Sequence, residues 1–182
     1  METADDPYGV LATIAASSTS GQRGLPQQVD AKTMWSGIGF NLCGKRFVVP
    51  MTEVAELLER PSATRIPGVR PWVRGVANVR GRLLPLIDLE AFFGGQLGSN
   101  RKKQRVLALD MGDFYSGVLV NEVYGMQHFA IENYSANDDV EEELAPFAAY
   151  LRGKYHNDKQ SWTVFSLQEL VKDPRFFNAA AQ

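Results

Sequence analysis

Trp72-Val-Arg-Gly-Val-Ala-Asn-Val-Arg-Gly-Arg-Leu-Leu-Pro-Leu-Ile-Asp-Leu89 is the stretch that decides how this chain of 182 residues folds. Its glycines predict a turn around Gly75 and a second, tight turn at Arg80-Gly81. The aliphatic run Leu83–Leu89 that follows is typical of a strand buried on both faces. Arg80 is therefore expected in a turn at the rim of that strand, where a cation either pairs with a nearby carboxylate or contacts a partner.

A weaker copy of this stretch appears later in the chain. Tyr150-Leu-Arg-Gly153 resembles Trp72-Val-Arg-Gly75, and Trp162–Leu167 resembles Leu84–Leu89, with the same spacing of 14 residues from the glycine to the last leucine. We interpret the pair as one supersecondary unit used twice, which predicts two related subdomains. Chance similarity is the alternative, because the matching segments are short.

The two copies differ at Arg80. The first copy has Asn78-Val-Arg-Gly-Arg82 where the second has His156-Asn-Asp-Lys-Gln160. Glycines and strand residues recur because both subdomains need them to fold. Folding of the unit does not demand Arg80, so we predict that this residue has a specific role.

The composition is that of a soluble globular chain. Hydrophobic residues make up 45%, charged residues 22%, and the net charge is −2, so there is no global basic field to attract nucleic acid. The single cysteine, Cys43, permits no intramolecular disulfide and agrees with a reducing, cytoplasmic compartment. The short apolar run Val10–Ala16 is preceded by acidic residues, which argues against a secretory signal, and no run is long enough to span a membrane.

The chain divides into an extension and one larger domain. Residues 1–30 form the extension, in which Asp6-Pro7 predicts the start of a short helix. Residues 31–182 form the domain. There, many short strands separated by Gly and Pro favour small barrels over alternating strands and helices, and Cys43-Gly44 predicts a hairpin turn.

Catalytic and metal-binding patterns are missing from the sequence. His128 and His156 lie in different segments without metal-ligand spacing, and Cys43 has no partner at the spacing that zinc sites use. There is no phosphate-binding loop with a lysine and no Gly-x-Ser-x-Gly elbow. We therefore predict no enzyme activity, no metal and no cofactor. Asp88 is expected to cap the turn after its strand, and the basic loop 101–105 to be a solvated surface.

Several motifs together resemble the CheW-like chemotaxis adaptors. In chain order they are Val54-Ala-Glu56, Ile66-Pro-Gly68, Trp72-Val-Arg-Gly75, Asn78-Val-Arg-Gly81, Pro85–Leu89 and Gly117–Val123. The resemblance covers residues 35–172, and Trp35–Phe40, Gly75–Pro85 and Gly125–Phe129 are closest to the branch of the family that serves type IV pili and twitching motility. It implies an all-β fold of two packed five-stranded SH3-like β-barrel subdomains with a few short helices.

The resemblance also implies a function. CheW-like adaptors are non-catalytic scaffolds that bridge the cytoplasmic tip of a methyl-accepting chemoreceptor and the regulatory domain of a CheA-type histidine kinase. That kinase domain is itself CheW-like, so the two can alternate in rings. The expected location is the cytoplasm, at membrane-bound receptor arrays, without insertion into the membrane.

Carried over position by position, the resemblance implies seven receptor- or kinase-binding residues: Val54, Glu56, Gly75, Arg80, Gly81, Val118 and Val120. Val54 and Arg80 match the receptor-facing groove, and Glu56 matches an acid that pairs with Arg80. The two glycines match turns beside the groove, and the two later valines match a strand near the receptor or kinase contact.

Two departures from the family pattern stand in the second half of the chain. Asn121 takes the place of an acid, and Ser166 takes the place of an aspartate that is common in the last strand. These two replacements leave open which residues form ion pairs in the second barrel, and they do not change the expected fold.

Two other functions are open from the sequence. A small-barrel nucleic-acid-binding module would need a basic, aromatic face, and its candidates are Arg74, Arg80, Arg82 and the 101–105 cluster. A piece of a larger kinase or fused adaptor is the second alternative, which the missing nucleotide-binding motifs disfavour.

Overall fold

A computed structural model describes residues 33–112, 114–136, 141–157 and 160–177. In chain order its strands are β1 (Met34–Leu42), β2 (Lys45–Pro50), β3 (Glu56–Glu59), β4 (Val73–Val79), β5 (Arg82–Asp88), β6 (Arg105–Met111), β7 (Phe114–Val120), β8 (Glu122–Ala130), β9 (Tyr134–Ser135), β10 (Leu151–Asn157) and β11 (Gln160–Phe165). The α-helices are α1 (Leu89–Phe92), α2 (Leu167–Lys172) and α3 (Pro174–Phe177), and the 3-10 helices are Met51–Glu53, Ile131–Asn133 and Glu142–Tyr150. The predicted extension 1–30 and its helix lie outside the described residues.

The strands form two curled sheets. The terminal sheet has the order β8-β1-β2-β11-β10-β9, and the central sheet has the order β3-β6-β7-β5-β4. The sixth strand of the terminal sheet, β9, has only two residues. Apart from β9, each sheet has five strands, which is the number expected for an SH3-like barrel. The predicted all-β architecture of two SH3-like subdomains with a few short helices is confirmed.

Three apolar clusters explain why so many strands are hydrophobic on both faces. Residues of both sheets contribute to a shared layer, including Phe40, Phe47, Phe165, Ile87, Leu107, Leu109, Val118 and Val120. The interior of the terminal sheet contains Val48, Phe129, Tyr155, Trp162 and Val164, and the interior of the central sheet contains Ala77, Leu84, Leu86, Val106 and Leu119. Successive residues of one strand thus enter different clusters, which produces continuous apolar runs.

The unit inferred from the sequence is built twice. The hairpin β4–β5 leads into α1, and the hairpin β10–β11 leads into α2. Each second strand pairs in parallel with a strand of its own sheet, β5 with β7 and β11 with β2. The same backbone bond also recurs, since the Asp88 N–H donates to Trp72 O at 2.7 Å and the Ser166 N–H donates to Tyr150 O at 2.8 Å. The predicted duplication is confirmed.

Gly75 is not in a turn, contrary to our prediction. It lies inside β4 at a register shift, as Gly153 does inside β10, with φ of 125° and 151°. A Cβ at Gly75 would lie 2.0 Å from Thr64 O, and one at Gly153 would lie 2.6 Å from Ser135 O. Both positions therefore require glycine, because the backbone of another segment passes close to each bulge. The local sequence does not reveal such a contact between distant segments.

Glu90 connects the two sheets. Its side chain is 2% exposed, and its Oε1 accepts hydrogen bonds from the Cys43 N–H at 2.9 Å and from Asn121 Nδ2 at 2.6 Å. Cys43-Gly44 forms the predicted hairpin turn, with φ of 49° and 76°. Burial raises the pKa of Glu90, and burial with the nearby Glu90 charge raises the pKa of the Cys43 thiol to about 12.

We predict that Gly75→Ala lowers the free energy of unfolding by about 2–4 kcal/mol, because the new methyl group meets a backbone carbonyl that cannot yield. Gly81→Ala is the matched control, since its φ is also positive, at 82°, but nothing lies within 4 Å of the added carbon. That variant should lose about 1 kcal/mol from backbone strain alone. Urea unfolding followed by circular dichroism measures both, and equal losses would show that the Thr64 contact is unimportant.

We predict that Glu90→Gln changes how stability depends on pH. Because folding raises the pKa of Glu90, its contribution is full below the ordinary value of 4.5 and is lost as pH rises through the folded value. Glutamine keeps an acceptor oxygen and does not titrate. The unfolding free energy of the native chain minus that of the variant should therefore decrease as the pH rises above about 4.5. Parallel curves over that range would contradict the assignment.

Candidate functional site

The hairpin turn between β4 and β5 presents Arg80. Arg80 and Gly81 have φ of 51° and 82°, as a type I′ turn requires, and the Gly81 N–H donates to Asn78 Oδ1 at 2.9 Å. A non-glycine residue in this left-handed region costs about 1 kcal/mol. An arginine held there at such a cost is consistent with a role other than folding.

Arg80 and Glu56 form the predicted ion pair. Arg80 Nη2 lies 2.6 Å from Glu56 Oε1, and the two side chains are 78% and 31% exposed. A pair this exposed contributes about 0–1 kcal/mol to stability. The guanidinium is thus oriented by Glu56 while most of its surface stays open to solvent.

Two exposed leucines follow the members of this pair in sequence, one in β3 and one in β5. Leu57 follows Glu56 in β3 and is 43% exposed, and Leu83 lies in β5 and is 70% exposed. We call Glu56, Leu57, Arg80 and Leu83 the Arg80 surface. Exposed apolar side chains and an oriented arginine are components that protein interfaces favour. Val54, the other residue expected at the groove, precedes β3 and is partly buried against the shared layer.

Val118 and Val120 do not belong to an exposed surface. Both are 0% exposed and pack in the shared layer, because alternate residues of β7 face it. Gly75 is likewise buried, under the Thr64 carbonyl. The side chains of these residues therefore serve packing and offer a partner no surface, and their assignment to the binding site stays a prediction.

A second arginine of the hairpin, Arg74, has a different role that the sequence did not reveal. Arg74 Nε donates to Asp88 Oδ2 at 2.7 Å, and the Asp88 side chain is 0% exposed. Asp88 also accepts the Ala91 N–H at 3.0 Å, which confirms the predicted cap of α1. Arg74 therefore neutralises a buried carboxylate, whereas Arg80 remains at the surface.

The second copy of the unit replaces this carboxylate. Ser166 caps α2 through the Glu169 N–H at 3.3 Å and donates to Glu53 Oε1 at 3.1 Å. Buried Glu53 also accepts the Leu167 N–H at 2.5 Å. Arg152, which corresponds to Arg74, pairs instead with Glu169 at 2.6 Å. Charge pairing in this subdomain, which the sequence left open, is therefore supplied by glutamates from other positions.

An open groove of about 560 Å³ lies on the terminal sheet. Its lining residues are Trp35, Pro50, Glu53, Ile131, Tyr134, Arg152, Tyr155, Val164 and Gln168. Trp35 stacks on Tyr155 at 4.6 Å between ring centroids, and Tyr134 is 43% exposed. This aromatic groove differs in chemistry from the Arg80 surface, so the two sheets present unlike faces.

No group of three or more His, Cys, Asp or Glu residues among the described residues could hold a metal ion, and no helix among them is long and apolar enough to cross a membrane.

The comparisons with known proteins agree on one family. The family model described as the CheW-like domain matches residues 36–175, which run from β1 to α3. The chain belongs to the CheW-like family. This CheW-like chain is 42% identical over 184 residues to protein PilI of Pseudomonas aeruginosa, an alignment that covers 99% of each chain.

More distant relatives are chemotaxis proteins. The chain is 28% identical to the chemotaxis protein CheW of Helicobacter pylori, over 53% of this chain and 59% of the relative, and 30% identical to that of Bacillus subtilis, over 51% and 60%. The crystal structure of the scaffolding protein TtCheW from Thermoanaerobacter tengcongensis superposes with a TM-score of 0.66 at 20% identity, over 78% of this chain and 95% of that one. This last likeness supports the CheW-like fold.

We predict that the two arginines of the hairpin differ in their effect on stability. Arg80→Ala should change the free energy of unfolding by less than about 1 kcal/mol, because its pair is exposed. Arg74→Ala should cost about 2 kcal/mol, because it leaves the Asp88 carboxylate buried without its cation, although Arg74 itself is partly solvated. Thermal and urea unfolding of the two variants measure the difference, and a larger loss for Arg80→Ala would make Arg80 a structural residue.

Proposed function

We propose that this CheW-like chain is a non-catalytic adaptor that couples the cytoplasmic tip of a methyl-accepting chemoreceptor to the regulatory domain of a CheA-type histidine kinase. The pathway is a chemosensory one that controls twitching motility driven by type IV pili. The near full-length similarity to PilI and the chemotaxis relatives support this proposal. The adaptor works in the cytoplasm at membrane-bound receptor arrays, and it uses no cofactor.

The exposed Arg80–Glu56 pair is the observation that carries the proposal. It stands on a hairpin whose copy in the terminal sheet has no arginine at the matching place in the sequence. A duplicated unit with unlike surfaces is suited to hold two different proteins at once. We assign the receptor tip to the Arg80 surface, to which Gly81 belongs through the turn and Val54 through the residues that lead into β3.

Weak single contacts are sufficient for such an adaptor. A micromolar interface corresponds to about −8 kcal/mol, and a repeating array makes many of these contacts simultaneous. Because each adaptor then shares interfaces with its neighbours, a small change at one receptor biases several kinases.

The nucleic-acid alternative loses two of the arginines that its basic face would need. Arg74 is committed to Asp88, and Arg82 Nη1 lies 2.9 Å from Asp110 Oδ2 with its guanidinium 3.8 Å above the Tyr115 ring. The net charge of −2 opposes a polyanion as well. The adaptor is therefore the better account.

We predict that Arg80→Ala weakens binding of a purified receptor signalling tip by about tenfold, since an oriented cation is lost from the contact, and leaves binding of the kinase regulatory domain unchanged. Lys172→Ala is the control, because Lys172 is 69% exposed and also ion-paired, with Glu169 at 3.1 Å, but lies on α2. Isothermal titration calorimetry with each partner, and then with both, measures the effect.

The same titrations test the bridging arrangement. Saturation with one partner should leave the affinity for the other within about twofold. Competition between receptor tip and kinase domain for one site would refute the bridge and leave a regulator of a single partner.

A further inference from the structure

A basic cavity lies at the end of β3, away from the Arg80 turn. It encloses about 410 Å³ and is lined by Glu59, Arg60, Arg101, Lys102, Gln104 and Arg105. Glu59 in β3 is paired in register with Arg105 in β6, so the loop before β6 is held beside the end of β3. The basic loop that the sequence placed on a solvated surface thus forms one wall of a concave site.

Two of its guanidinium groups are held in place. Gln104 is 1% exposed, its Nε2 donates to Gly98 O at 2.7 Å, and its Oε1 accepts from Arg60 Nη1. Arg105 Nη1 donates to Lys102 O at 2.7 Å and to Gln104 O at 2.9 Å. These bonds use few of the donors on each guanidinium, so oriented N–H groups are left for a ligand.

The positive charges of this cavity are not balanced within the described residues. Four cations face one carboxylate, Glu59, and no salt bridge between described residues involves Arg60, Arg101, Lys102 or Arg105. Burial, followed by the charge of Arg101, lowers the pKa of Arg60. Lys103 in the same loop differs, since its Nζ lies 3.0 Å from Glu122 Oε1.

We propose that this basic cavity binds an acidic segment of a partner protein through two or more carboxylates. Planar guanidinium groups pair with carboxylates in a bidentate fork, and a concave wall strengthens the local positive potential. The occupant is a short acidic segment because the charge is confined to one cavity of a chain whose net charge is −2. A nucleic acid or an anionic membrane would instead be attracted by a broad basic face.

Two glutamates of the acidic segment 141–143 in a second copy are poorer candidates. Glu141 pairs with Lys154 at 2.6 Å, and Glu143 pairs with Lys45, so these carboxylates already have cations. The cavity is also separate from the Arg80 surface. Glu56 and Glu59 are the two ends of β3, which places them about 10 Å apart along the strand. The proposal therefore does not rest on the assigned receptor contact.

Fluorescence anisotropy with a labelled hexaglutamate peptide tests the proposal on the full chain. Arg101→Gln/Lys102→Gln removes two exposed cations and should weaken binding by about fivefold at low salt. Lys103→Gln is the matched control from the same loop and should bind within about twofold of the native chain. Circular dichroism checks that both variants fold, and binding should weaken as salt is added.

Each other outcome would overturn the proposal. Unchanged peptide affinity in the double variant, or equal binding of a hexaglutamine peptide, would mean that the cavity does not recognise carboxylate groups. Tighter binding to vesicles containing phosphatidylglycerol or to a thymidine oligonucleotide, lost in the double variant, would assign the cavity to a membrane or a nucleic acid. Self-association in sedimentation that the double variant abolishes would make a second copy the occupant.

Discussion

The apolar layer shared by the two sheets is the contact on which the rest of the structure depends. Phe165 packs edge-on against Phe40 and Phe47, at 6.0 and 5.6 Å between ring centroids, and Ile87 enters the same layer from the central sheet. A strand buried on both faces cannot slip by one residue without exchanging its two apolar sets. The layer therefore fixes the register of both repeated hairpins, and with it the place of the turn that holds Arg80.

Much of this fold could be predicted because its signals are local or repeated. The apolar runs, the hairpin turns at Cys43-Gly44 and Arg80-Gly81, and the Asp88 cap depend on neighbours in sequence. The face that a doubly buried strand presents to each cluster is not local, so the sequence alone does not show that Val118 and Val120 are buried in the shared layer. The sequence does not predict the bulge at Gly75 for the same reason, because glycine is required there by the carbonyl group of Thr64 in a distant segment.

The two arginines of the β4–β5 hairpin have different roles: Arg74 stabilises the fold, and Arg80 lies at the surface where a partner can bind. Arg74 and its counterpart Arg152 both have carboxylate partners, although the partner changes from Asp88 to Glu169. The inner arginine thus recurs with the unit, whereas the arginine of the turn stands in the first copy alone. Family resemblance could place Glu56 beside Arg80, since that pair belongs to the pattern, but only the tertiary structure shows that Arg74 neutralises the buried Asp88 carboxylate.

The short edge strand β3 brings the charged features of the central sheet together. It pairs with β6 on one side and ends the sheet order on the other, so one backbone edge of this four-residue strand has no partner strand among the described residues. Glutamates stand at both of its ends, one facing Arg80 and the other beside the basic cavity. Charges on a short edge oppose non-specific pairing with other strands, because an approaching strand would have to desolvate them. The same charges favour a partner that supplies matching groups, so protection of the edge and selection of a partner follow from one arrangement.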